Sequence, residues 1–98
     1  MELFKLDRKC VFSDDRRYRY LLTIQNQHVD EGIVNFLMLN PSTADEVVND
    51  PTVERCQRRA FHYGLNDQLF RSVIVTNLFA YRSTDPRELK NVDDPVGP

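Results

Sequence analysis

Two stretches of the sequence place polar side chains in patterns that could hold a ligand. Asn40-Pro41-Ser42-Thr43-Ala44-Asp45 follows an apolar run, and Asn49-Asp50-Pro51-Thr52 stands shortly after it. An amide, hydroxyls and carboxylates gathered behind a buried strand can hold a water, a sugar hydroxyl or a phosphate. A helix starting at Pro51 would also turn its positive end toward an anion. The same residue types are what any loop uses for turns and caps, so the two uses compete at every position. A third feature is Asn77, within Thr76-Asn77-Leu78-Phe79-Ala80-Tyr81-Arg82. A side-chain amide presents donor and acceptor together, which matches the edge of a purine or pyrimidine, and Phe79 or Tyr81 could stack on that base. The alternative is an amide that bonds backbone at a strand end, with Phe79 in the core. Arg55 and Arg82 could grip a phosphate through the two-pronged guanidinium fork. Arg58 has Glu54 four residues before it and belongs to a solvated helix face. Arg16, Arg17 and Arg19 are diluted by Asp14 and Asp15 and read as hairpin surface.

Positioning these groups requires an α/β frame. Val11-Phe12-Ser13 and the alternating Tyr18-Arg19-Tyr20-Leu21-Leu22-Thr23-Ile24 predict two strands joined by a polar turn, an antiparallel hairpin or edge ribbon. Residues 33–39 form a nearly continuous apolar run that suits a strand covered on both faces. Residues 41–50 predict a loop. Asp50 can then cap a helix with Pro51 in its first position and Gly64 at its end. Val53, Cys56, Ala60 and Tyr63 share one face of that helix. Val73-Ile74-Val75-Thr76 is a second buried-type strand running into Asn77-Leu78-Phe79. A strand, a helix and a strand make a βαβ unit with parallel central strands, which brings Asn40 and Asn77 to carboxyl ends on the same sheet edge, where open α/β sheets bind ligands. Thr84 or Asp85 and Pro86 open one short helix, and residues 91–98 read as a polar tail.

Composition bounds the function. The 98 residues make one small domain. Thirteen Lys and Arg against fifteen Asp and Glu give a net charge of −2, so no global positive field draws the chain onto nucleic acid. No apolar run approaches the roughly 20 residues of a membrane span, and the first residues lack a signal-peptide stretch, which predicts a cytoplasmic protein. Cys10 and Cys56 read as free buried thiols. Neither they nor His28 and His62 have metal-ligand spacing, so no metal or cofactor is assigned.

Tyr18-Arg19-Tyr20, then Phe36-Leu37-Met38-Leu39-Asn40-Pro41-Ser42-Thr43-Ala44-Asp45, Asn49-Asp50-Pro51-Thr52, and the run from Asn77 to Pro86 resemble the family catalogued as domain of unknown function 1643, found mainly in bacteria and phages. The likeness covers most of the chain from Tyr18 to Pro98. It implies a single domain over residues 1–98 that corresponds to the N-terminal part of the usual family length, because members continue past a Val-Gly-Pro like Val96-Gly97-Pro98 into another helix and a strand. More distantly, the chain is similar to the uracil-DNA glycosylase superfamily, which implies a C-terminally shortened version of that fold. On that likeness Asn40-Pro41 corresponds to the water-positioning motif, with Asp45 as a helper, and Asn77 to the base-reading asparagine. The implied catalytic pair is Asn40 and Asp45, and the implied substrate-binding set is Pro41, Ser42, Thr43, Asp50, Thr52, Arg55, Asn77, Phe79 and Arg82.

Two functions follow as expectations. One is a domain that binds a nucleobase, nucleotide or single-stranded nucleic acid and hydrolyses an N-glycosidic bond. The other is a non-catalytic interaction module that binds a protein partner or pairs with itself through an exposed sheet edge.

Overall fold

The structure is a computed structural model that describes residues 6–64 and 68–97. The opening residues used in the signal-peptide reading, the connection at residues 65–67 and Pro98 lie outside the described part.

The chain folds as a small mixed α/β domain around a four-stranded sheet. Strands β1 (Leu6–Phe12) and β2 (Arg19–Asn26) form an antiparallel hairpin. Its turn closes through Ser13 N–H to the Tyr18 carbonyl at 3.0 Å and Arg16 N–H to the Ser13 carbonyl at 2.9 Å. β3 (Ile33–Met38), α1 (Pro51–Arg58) and β4 (Ser72–Asn77) follow, and a 3₁₀ turn spans Pro86–Asn91. The sheet order is β1-β2-β4-β3. β4 runs antiparallel to β2, with Leu22 opposite Val75, and parallel to β3, with Ile33 opposite Ser72 and Met38 opposite Asn77.

One face of the sheet carries the core. Leu22, Ile24, Val73 and Val75 meet Val53, Ala60 and Phe61 from the helical segment and Ala44 from the loop before it. Fully burying an apolar side chain of this size contributes about 1.5–3 kcal/mol. α1 begins as its sequence predicts. Asp50 Oδ1 accepts from Val53 N–H at 2.9 Å, and Pro51 occupies the first turn, where its missing N–H costs nothing.

Four expectations are corrected. β1 starts at Leu6 rather than near Val11. Arg8 interrupts its apolar alternation, yet in the fold Arg8 reaches across to the carbonyls of Asp45 (2.7 Å) and Val48 (3.2 Å). The helix changes register after Arg58 into one wide π turn, Arg59–Tyr63, closed by Gly64 N–H to the Arg59 carbonyl at 2.7 Å. That extra residue rotates the face, so Phe61 is buried and Tyr63 is 65% exposed. β3 is an edge strand rather than one covered on both faces: Val34, Phe36 and Met38 pack on the core, while Ile33 (68%) and Leu37 (63%) are exposed. Residues 91–97 are polar but packed, since the Tyr18 hydroxyl donates to the Asp94 carbonyl at 2.6 Å and Tyr81 N–H to the Pro95 carbonyl at 3.0 Å.

Candidate functional site

Parallel pairing carries β3 and β4 out of the sheet together. Leu78 N–H donates to the Met38 carbonyl and Phe79 N–H to the Leu39 carbonyl, each at 2.9 Å. Asn40 then ties the two exits to each other, because its Nδ2 donates to the carbonyls of Ser83 (2.9 Å) and Pro41 (3.2 Å).

A cavity of about 220 Å³ opens at this end, walled by Met38, Leu39, Pro41 and Val53, with polar groups from Arg19, Asn40, Ser42, Asp50 and Thr52. Asp50 is buried and both its oxygens are engaged: Oδ1 caps α1, and Oδ2 accepts from Ala44 N–H at 3.3 Å. The cavity thus joins Asn40, Pro41, Ser42, Asp50 and Thr52 from the two motifs singled out in the sequence.

It also contains Arg19, which sequence reasoning placed on the hairpin surface. Arg19 is 1% exposed, and its Nη1 donates to the Ala44 carbonyl at 2.9 Å. The reason is a register slip: Val11 faces Leu21 but Phe12 faces Arg19, leaving Tyr20 as the extra residue of a β-bulge. The bulge turns Arg19 onto the face of Leu22 and Ile24. Strict alternation would have put it opposite them, so the sequence carried no simple signal. Burial holds its pKa below the ordinary arginine value.

A second, adjoining cavity of about 280 Å³ shares Ser42 and is lined by Arg16, Arg17, Thr43, Tyr81, Arg82, Ser83 and Thr84. Arg82 is committed to main chain, donating to the carbonyls of Ser42 (3.1 Å), Arg16 (3.1 Å) and Thr43 (3.3 Å). Arg16 pairs with Glu46 at 3.0 Å, and the Arg17 guanidinium stands 5.7 Å from the centre of the Tyr81 ring.

The remaining sequence candidates lie elsewhere. Asp45 folds its Oδ1 onto the N–H groups of Val47 (2.8 Å) and Val48 (2.9 Å), and these bonds hold its carboxyl below the usual range. Arg55 is exposed on α1 and lines neither cavity, and Phe79 lines neither. Asn77 ends β4 with Nδ2 and Oδ1 both buried and both without a hydrogen-bond partner. It faces Met38 across the strands rather than opening on the cavity. Burial raises the thiol pKa of Cys10 and of Cys56, which keeps both as protonated thiols. Among the described residues no cluster of His, Cys, Asp or Glu could hold a metal, and no helix is long and apolar enough to cross a membrane.

The family model described as protein of unknown function (DUF1643) matches residues 19–98, which include the whole lining of the first cavity and, apart from Arg16 and Arg17, that of the second. No curated protein and no solved structure matches.

Proposed function

The chain belongs to the DUF1643 family, and we propose that it is a nucleobase- or nucleotide-binding domain whose site lies at the carboxyl ends of β3 and β4. The observation that carries this reading is the Asn77 amide, buried with both donor and acceptor unfilled. Each such buried group costs about 1–3 kcal/mol when unpaired, and a base edge supplies the complementary acceptor and donor side by side. Met38 lines the cavity and is the register partner of Asn77 on β3. Its unbranched, adaptable side chain is the one a ligand would displace to reach the amide.

The similarity to the uracil-DNA glycosylase superfamily extends the proposal to chemistry. Asn40 Oδ1 would hold a water for attack on the sugar carbon, and the base would leave with the bonding electrons while hydrogen-bonded to Asn77, then take up the proton that the water releases. Asp45 has no part in this reading, because its carboxylate is folded into its own loop. The test is thermal unfolding with a panel of free bases, nucleosides, nucleotides and short single-stranded oligonucleotides. A stabilising shift with one class, absent in a folded Asn77→Ala variant, is expected. A cooperative transition that no member moves overturns the reading.

A second reading rests on the edge strand. Ile33 and Leu37 on β3, with Asn35 between them, and Leu78 beyond β4 are exposed, and β3 is an edge strand with unpaired backbone. Such an edge suits pairing with a second copy of the chain or a protein strand. Sedimentation over a hundredfold concentration range tests it: a reversible dimer supports the interaction module, and a monomer throughout removes self-association.

A further inference from the structure

We infer that the cavity between Arg19 and the start of α1 is a phosphate-binding site, anchored by Arg19. Arg19 is 1% exposed, makes one hydrogen bond through Nη1, and leaves a buried Nε with no acceptor. Among the described residues no carboxylate lies within ion-pair distance of it. A guanidinium does not shed its proton in proteins, so the charge stays and its lost hydration must be replaced. Asp50 attracts the guanidinium through space but does not contact it, since its two oxygens accept from the N–H groups of Val53 and Ala44, so the guanidinium's own donors stay unfilled.

The cavity offers what an oxyanion requires. Arg19 supplies guanidinium donors and the hydroxyls of Ser42 and Thr52 line the wall, while the Asp50 carboxylate on the same wall is already held by the first turn of α1. At about 220 Å³ the space is smaller than the roughly 300–1,000 Å³ typical of pockets that enclose a whole drug-sized ligand, and it suits one phosphate group. The anion is either inorganic phosphate or the phosphate of a nucleotide. In the second case the site rests on the function proposed above and adds the group that holds the ligand's charged end.

The test is the melting temperature of the full chain titrated with inorganic phosphate against sodium chloride at equal ionic strength, then with a nucleoside and its 5′-monophosphate. Phosphate is expected to raise the melting temperature in proportion to the logarithm of its concentration once the site is half filled. Arg19→Met should abolish that rise, while its melting temperature in chloride alone reports separately the loss of the Nη1 bond to the buried Ala44 carbonyl. Arg19→Lys should keep only part of the rise, because a single ammonium cannot form the fork. Should Arg19→Met not fold, Thr52→Val decides: Thr52 is exposed at the helix start, and its loss should weaken the phosphate response without unfolding the chain. A wild-type response no larger with phosphate than with chloride overturns the site, as does an undiminished response in a folded Arg19→Met or in Thr52→Val. A phosphate response without any nucleoside response keeps the site and removes the nucleobase reading. A nucleoside response without a phosphate response does the reverse. A monophosphate that shifts the transition further than inorganic phosphate identifies the nucleotide as the source, and equal shifts identify free phosphate.

Discussion

Asp50 links three structures through one carboxylate. One oxygen caps α1, the other fixes Ala44 N–H, and the Ala44 carbonyl in turn holds Arg19 Nη1. Asp50→Ala should therefore cost more than an isolated cap, whose loss is about 0.5–2 kcal/mol, and denaturant titration would measure it. Asp50→Asn should retain the cap and lose less. Asp45 makes the pH prediction. Hydrogen bonds from Val48 and Val47 lower its folded pKa beneath the unfolded value of about 3.9, so its contribution is present above that value and is lost as pH falls through the folded pKa. Asp45→Asn, which can still accept both N–H groups, should flatten that part of the acid limb of a stability–pH profile; an unchanged limb would mean other carboxylates govern it. The capping role of Asp50 and the place of Pro51 were legible in residue type alone. Arg19 was not, since its orientation follows from the Tyr20 bulge, a property of how β1 and β2 pair.

At the scale of elements, the helical segment separates what periodicity can tell from what it cannot. Val53, Cys56 and Ala60 lie on the buried face that a 3.6-residue repeat predicts. Beyond Arg58 the π turn inserts one residue per turn, and Phe61 replaces Tyr63 in the core. Phe61→Ala should cost about 3–5 kcal/mol of unfolding free energy, whereas Tyr63→Ala should stay within about 0.5 kcal/mol. Equal costs would place the aromatic contact where the uninterrupted helix would have put it. Gly64 ends the segment at φ 65°, where a Cβ would collide with the Gln68 carbonyl. Gly64→Ala should accordingly destabilise by more than the roughly 1 kcal/mol typical of such positions in open space, read from the same denaturant midpoint. The strands at Tyr18–Ile24, Ile33–Leu39 and Val73–Thr76 were visible in their β-branched and aromatic content. Their order was not, because pairing β2 to β4 is a long-range choice that leaves β3 at the edge.

Over the whole molecule, the proposed site and the core occupy different parts of the sheet. The core fills one face, the other exposes Ile33 and Leu37, and the polar groups gather beyond the carboxyl ends of β3 and β4. The mixed α/β class and the loop motifs at that end were readable from sequence. The meeting of Asn40, Asp50 and Thr52 with Arg19 required the fold, since it joins a loop and a helix start to the hairpin. With a net charge of −2, the proposed binding would draw on local donors rather than a global field, so added salt should weaken nucleotide binding far less than the multi-phosphate slopes of DNA-binding proteins. A side-chain ¹⁵N–¹H spectrum recorded while a nucleoside 5′-monophosphate is added tests the central claim most directly. The account predicts saturable, concerted shifts of the Asn40 and Asn77 NH₂ groups and Arg19 Nε–H; shifts confined to other residues, or none at saturating ligand, would contradict it.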